Sequence, residues 1–233
     1  MENKTKLETE TIIISLGGSL IVPDEIDIHF LKDFKNLILK QVEQGKKFII
    51  ICGGGGVNRK YNQAARVLIS PSEEDLDWVG IAALRLNAEL IRVIFSEQAY
   101  SRVICDLSEN LMLEKSIIVG GADRPGRSSD WDAVIAAKNC GAKKIINLSN
   151  IDYVYDLDPN LNPNAKKFDK ISWAEYRNII PKEWTSRLSS PFDPVASKLA
   201  QEENIEVVIM NGRLLKNLEN YLNGEDFLGT VIF

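Results

Sequence analysis

The chain has 233 residues, 45% of them apolar and 26% charged, with a formal net charge of −5. That length and balance suit one large globular domain or two small lobes, and the acidic sign excludes the basic face that non-specific nucleic-acid binding requires. The apolar runs are strand-sized, far short of the roughly 20 residues of a membrane span, and the polar residues 1–10 lack the apolar segment of a secretory signal.

In chain order, residues 11–16 form the first apolar, β-branched run, which empties into Gly17-Gly18-Ser19. Phe30, Leu31, Phe34, Leu37, Ile38 and Val42 recur at helical spacing, and Gly45 stops that helix. His29, the single histidine, reads as a solvated residue at the helix start, so His-based triads and multi-His metal sites are excluded. The run 48–52 stops in four glycines, 53–56, ahead of a second helical segment. Bare backbone N–H groups at a helix start form a cradle for anions. Arg59 falls in the first turns of that helix, within reach of a phosphate.

Trp78 to Phe95 reads as a long helix. Its Ile81, Leu84, Leu86, Leu90, Ile91 and Ile94 spread over more than one face, to be covered by a partner subunit or by the chain's own core. A third run, 116–119, empties into Gly120-Gly121. A tight turn with Arg124 and Arg127 follows, then an alanine-rich helix that Ser128, Ser129 or Asp130 can cap. Runs at 144–148 and 206–210 complete the set, the last preceded by a helix over about 194–202. Residues 156–170 are rich in Asp-Pro and Asn-Pro turns and read as a flap-like loop. Residues 229–233 are expected to add an edge strand. The scattered cysteines Cys52, Cys105 and Cys140, with no CxxC, read as reduced thiols of a cytoplasmic protein.

Strand-sized runs alternating with helices predict an α/β fold with a parallel sheet covered on both faces. Three glycine turns would then converge on one sheet edge, which suits a ligand with several phosphates. The chain has no G-x-x-x-x-G-K-[ST] and no G-x-G-x-x-G opening a helix, so neither a P-loop hydrolase nor a dinucleotide site is indicated. Phosphoryl transfer remains a natural chemistry, because it needs positioned donors and cations rather than covalent help from the protein.

Gly-Gly-Ser (17–19), Gly-Gly-Gly-x-x-Arg-Lys-Tyr (54–61), Asp77-x-x-Gly80, Pro-Gly-x-Ser-Ser (125–129), Asn-x-Asp-x-Val-Tyr-x-x-Asp-Pro (150–159) and Asp-Pro-x-Ala-x-Lys (193–198) occur in this order. Together they resemble the amino acid kinase superfamily, most closely its archaeal-type uridylate (UMP) kinases, over about residues 11–233. The resemblance implies a three-layer αβα sandwich with a mainly parallel open sheet. It also implies one domain over 1–233, with an acceptor-binding lobe at about 9–142 and an ATP-binding lobe at about 143–233. The implied activity is transfer of the γ-phosphoryl of ATP to UMP in pyrimidine nucleotide synthesis, with Mg²⁺ on the ATP phosphates and no metal site of the protein's own.

On the same resemblance, Gly18, Ser19, Gly55 and Arg59 contact the transferring phosphates, and Ser149, Asn150, Tyr155 and Asp158 hold the rest of ATP. Gly54, Asp77, Arg124, Pro125, Gly126, Arg127, Ser128 and Ser129 hold UMP, with Asp77 on the ribose hydroxyls. Lys198, Arg59 and Asp132 are the catalytic candidates. Relatives of this type are commonly hexamers built from dimers, so a homo-oligomer is expected, with small-molecule nucleotides as partners and neither nucleic acid nor membrane.

The pattern departs from the family in three places. Ser15 stands where many members carry a lysine. Ser-Ser-Asp-Trp-Asp-Ala-Val (128–134) holds two extra residues, leaving Asp130 and Asp132 as candidates for one role. Tyr153 stands where glycine is usual. Two alternatives accompany the kinase reading: a non-catalytic nucleotide-binding or oxyanion-storage protein, and a kinase for another small acceptor.

Overall fold

The computed structural model describes residues 10–108, 114–183 and 190–233, and nearly all of the polar segment 1–10 lies outside them. Strand β1 (Thr11–Leu16) leads into a one-turn helix α1 (Gly18–Ile21) and then α2 (Ile28–Glu43). Strand β2 (Lys47–Cys52) is followed by α3 (Gly55–Leu68) and α4 (Glu73–Ile94), and β3 (Ile117–Gly120) by α5 (Ser129–Cys140). After β4 (Lys144–Ser149) come β5 (Val154–Tyr155), β6 (Lys167–Phe168), β7 (Lys170–Ile171), α6 (Trp173–Ile179) and α7 (Pro194–Glu202). The chain closes with β8 (Glu206–Asn211), α8 (Leu215–Leu222) and β9 (Thr230–Ile232).

The five predicted apolar runs become β1, β2, β3, β4 and β8, all mutually parallel in one sheet of order β3-β2-β1-β4-β8-β9-β7. Strand side chains alternate between faces, and here both faces are dry. Ile12, Ile14, Leu16, Phe48, Ile50 and Val119 pack with Phe34 and Ile38 of α2, Ile91 of α4 and Leu218 of α8. Ile13, Ile49, Ile51, Ile145 and Val207 pack on the opposite face with Ala133 and Ala137 of α5, Tyr176 of α6 and Ala196 and Ala200 of α7. The fold is therefore a three-layer αβα sandwich around a mostly parallel sheet, as expected.

Helix limits follow local chemistry. Asp27 caps α2, Gly45 (φ +93°) ends the following turn, and His29 is exposed at the helix start. Helix α4 begins five residues before Trp78 because Ser72 and Asp75 form a reciprocal capping box. Its Leu76, Leu84, Ala88 and Ile91 face inward, while Trp78, Leu86 and Val93 form an exposed stripe.

Two expectations are corrected. The last strand, β9, is not an edge: it lies between β8, to which it is antiparallel, and β7, so the two-residue β7 is the edge. The stretch 156–170 is not all loop, because Lys167 and Phe168 pair antiparallel with Tyr155 and Val154, and Lys170 starts β7. Neighbouring strands supply the pairing that so short a segment cannot specify alone.

Candidate active site

In an open parallel sheet, ligands sit beyond the carboxyl ends of the strands, where the strand order reverses. The order β2-β1-β4 reverses at β1, and the Gly17 N–H donates to the Leu148 carbonyl of β4 at 2.9 Å across that point. The predicted glycine turns leave β1, β2 and β3 on this same rim.

The first two turns meet backbone to backbone. A methyl group added to Gly18 would lie 2.2 Å from the Gly55 nitrogen and 2.5 Å from the Gly53 carbonyl, and one on Gly55 would lie 2.2 Å from the Gly18 oxygen. Gly55 also has φ +59°, a conformation that favours glycine. The Gly56 N–H donates to the Val22 carbonyl at 2.7 Å, locking the loops together. Asn87, buried on α4, donates its amide to the Gly53 (2.8 Å) and Gly54 (3.2 Å) carbonyls. These contacts fix the loops without side chains in the cradle. Helices α2, α4, α5, α6 and α7 each carry a side-chain N-cap, whereas α1 and α3, whose N-cap positions are Gly17 and Gly54, carry none, and neither does α8. An anion at the start of α3 would complete what no side chain completes.

Arg59 reaches back over this cradle, donating to Ser19 Oγ (3.0 Å) and to the Pro23 carbonyl (2.8 Å). The structure thus brings Gly18, Ser19, Gly54, Gly55 and Arg59 together. The third turn joins through two contacts. Asp77 accepts from the Gly126 N–H at 2.8 Å, and Asp130, in the first turn of α5, accepts from Ser15 Oγ of β1 at 3.1 Å and from Asn147 of β4 at 3.3 Å. Asp130 also accepts from the Asp193 N–H (3.2 Å), and Ser128 Oγ, the cap of α5, donates to the Asp193 carboxylate. Burial, with the Asp193 charge beside it, raises the Asp130 carboxyl above its ordinary range, and burial raises Asp193. Ser15 thus faces two acids held by hydroxyl, amide and backbone donors.

Asp132 faces elsewhere. It is 1% exposed, with Oδ1 at 3.7 Å from Arg127 Nε, and both Oδ2 and that Nε lack a hydrogen-bond partner among the described residues. Burial pushes its carboxyl up to about 8, against the pull of Arg127. Folded Asp132 thus keeps its proton up to that pH, while the unfolded chain releases it near pH 4. Between those limits the native state binds more protons, so stability falls as pH rises, by up to about 1.4 kcal/mol per unit. Asp132→Asn is therefore expected to gain about 3 kcal/mol relative to the parent between pH 5 and pH 8 in urea unfolding. A gain equal at both pH values would contradict it.

The remaining predicted residues end or follow β4, or lie on α5 and α7. Ser149 ends β4, and its hydroxyl accepts weakly from the Ile151 N–H (3.4 Å); the exposed Asn150 follows it. Tyr155 lies on β5, and the exposed Asp158 accepts from the Asn160 N–H (2.9 Å) in a turn of its own. Tyr153 lays its ring 4.0 Å from Lys167 Nζ, so the hairpin takes up that side chain. Ser129 opens α5 beside its cap. Lys198 stands apart: its side chain is 64% exposed and pairs with Glu202 at 3.9 Å. Sequence reasoning missed Asn87 and Asn147, although each is an isolated amide within an apolar helix or strand, a signal that marks a buried polar brace.

Glycine turns stacked on one another, uncapped helix starts and a bridging arginine at the switch point define a phosphate-handling α/β protein. Residues 10–211 match the amino acid kinase family, and the chain belongs to it. It is 34% identical over 225 residues to the uridylate kinase of Thermococcus sibiricus, covering 95% of this chain and 98% of that protein. It is 32% identical to the uridylate kinase of Methanospirillum hungatei, covering 95% and 94%. The crystal structure of uridylate kinase from Archaeoglobus fulgidus matches with a TM-score of 0.79 at 30% identity, over 97% of this chain and 100% of that one. UMP kinase from Bacillus anthracis, 20% identical with a TM-score of 0.77 over 96% and 95%, shares the fold.

Proposed function

We propose that the chain is an ATP-dependent UMP kinase that makes UDP for pyrimidine nucleotide synthesis. The observation that carries this reading is the contact of Gly18 with Gly53 and Gly55, spanned by Arg59 and Ser19, in a chain so similar to uridylate kinases. In this reading residues of about 9–142 hold UMP and those of about 143–233 hold ATP. The N–H groups of Gly18 and Gly55 take γ-phosphate oxygens, with Arg59 on the developing charge. Gly54 and the 124–129 turn take the acceptor phosphate. Ser149, Asn150, Tyr155 and Asp158 hold the adenosine end.

A UMP phosphate oxygen attacks the γ-phosphorus in line, a new P–O bond forms as the β–γ bridging bond breaks, and ADP leaves. The acceptor is already largely a dianion at pH 7, so no general base is required, which suits a site without histidine. Mg²⁺ would arrive on the ATP phosphates and neutralise part of their charge. Among the described residues no group of three or more His, Cys, Asp or Glu side chains is placed to hold a metal ion, and the ATP oxygens are the hard donors that this cation prefers. Lys198 completes the charge by swinging its flexible stem away from Glu202.

A coupled assay of ADP release with UMP, CMP, AMP, glutamate and carbamate as acceptors tests the assignment; no UMP-dependent release above background would refute it. Asp77→Asn is expected to raise the UMP KM about tenfold with little change in kcat, and an unchanged KM would remove the ribose contact. The uncharged Ser15, with the acids Asp130 and Asp193 beside it, favours one second reading, a nucleotide-binding or oxyanion-storage protein, for which tight ATP binding without turnover is the sign.

No helix among the described residues is long and apolar enough to cross a membrane. Three free cysteines fit a cytoplasmic location. The exposed stripe of Trp78, Leu86 and Val93, with Val67 and Leu68 of α3 also exposed, supports a dimer-based homo-oligomer. A monomeric mass in sedimentation would contradict that.

A further inference from the structure

The turn after β3 holds the cations expected for the acceptor, yet its own acids occupy them. Arg124 forks onto Asp123 Oδ2 through Nε (2.9 Å) and Nη2 (2.7 Å), and Arg127 Nη2 donates to the other oxygen, Oδ1. One carboxylate therefore bridges two guanidinium groups with both of its oxygens. That is the donor fork a phosphate engages. The Gly126 N–H at the tip is likewise taken, by Asp77 at 2.8 Å, and nothing lies within 4 Å of where a Gly126 side chain would point.

Arg124 and Arg127 bring two positive charges against the single charge of Asp123, whose carboxyl stays below its ordinary range because the Arg124 bonds and both arginine charges outweigh its burial. Of the other nearby acids, Asp132 keeps its proton up to about pH 8, whereas Asp106, held below the ordinary carboxylate range by its Ser108 hydrogen bonds, sets its charge against both arginines. Asp123 and Asp106 thus balance the two arginines, with Arg127 stacked over the Trp131 ring at 3.7 Å and the Arg124 side chain 61% exposed. The exposed Arg124 arm of this cluster contributes little to stability, as ion pairs close to solvent do.

We propose that Asp123 is an internal stand-in for the acceptor phosphate: it holds Arg124 and Arg127 ready, and a nucleoside monophosphate binds by displacing it. This rests on the UMP reading above and adds the residue that sets the charge requirement of the acceptor. A phosphate dianion brings up to two charges and three oxygens where Asp123 brings one charge and two oxygens. It therefore wins the arginines, while a neutral nucleoside has nothing to exchange. Asp123 leaves by rotating two side-chain torsions, with no backbone rearrangement.

Calorimetry with UMP, and with uridine as the phosphate-free probe, tests this on the full chain. Asp123→Asn is expected to lower the UMP Kd about fivefold, the scale of a partly exposed ion pair, and to leave uridine binding as it was. Asp123→Ala should do the same. If Asp123 served only to shape the turn, both variants would weaken UMP and uridine alike; that result, or an unchanged UMP Kd, overturns the stand-in alone. No UMP binding by parent or variant would overturn the acceptor assignment itself, and the stand-in with it.

Discussion

Gly18→Ala is expected to cut kcat/KM at least about 100-fold and to lower the unfolding free energy by about 1–3 kcal/mol. The added methyl would sit 2.2 Å from the Gly55 nitrogen and 2.5 Å from the Gly53 carbonyl, and every one of those atoms is backbone. No side chain can turn aside, so the two loops must part by about 1 Å to reach ordinary contact, a displacement large enough to cost two orders of magnitude in an aligned transfer. Steady-state kinetics and urea unfolding on the same preparation read both effects. A variant with parental activity and stability would show that the loops do not need their contact.

Lys198→Ala carries the second large effect. It is expected to lower kcat about 100-fold, the usual loss when one donor to developing charge is removed, with the UMP KM little changed. The pairing with Glu202 one turn further along α7 makes this a demanding test, because Lys198 must leave that partner to reach the phosphates. The N-cap Asp193 places the start of α7 against Asp130, so the helix points its first turn at the site. Equal kcat in variant and parent would assign Lys198 to the solvated surface that it now occupies.

The fold was largely legible, for physical reasons. Continuous β-branched runs are what a sheet buried on both faces requires, and all five mutually parallel strands lie where those runs lie. Helix α7 runs over Pro194–Glu202 as read, because Asp-Pro supplies both the cap and the first helical residue. The Ser-x-x-Glu signature of α6, Ser172 to Glu175, was equally readable and overlooked. What stayed hidden depends on partners distant in sequence. The strands β5, β6 and β7 have two residues each, too few for any periodicity, and β9 is internal only because β7 pairs beside it.

The site divides along the same line. Glycines at strand ends announce a cradle, and 17–19 and 53–56 do meet; Gly120 and Gly121 instead back onto the side chains of Ile51 and Val103, so two of the three expected turns are in contact. The two extra residues in 128–134 left two aspartates for one position, and only the fold separates them. Asp130 faces Ser15, Asn147 and Asp193, while Asp132 lies buried beside Arg127. Residues two apart on a helix point to nearly opposite sides, so α5 splits them by geometry. The occupation of Arg124 and Arg127 by Asp123 has no local sequence signal, since neighbouring opposite charges in a turn are usually solvated.

In the proposed kinase, backbone amides of the stacked glycine turns receive the phosphate oxygens. Selective ¹⁵N-glycine labelling, with an unhydrolysable ATP analogue and Mg²⁺ titrated into the protein, reads those amides directly. Gly45, Gly141 and Gly224 serve as internal controls, because each sits in an open turn with nothing within 4 Å of its missing side chain. The predicted result is that the amide signals of Gly18, Gly54 and Gly55 move together and saturate at one affinity while the three controls stay still. Saturation of the protein with those three signals unmoved would contradict it.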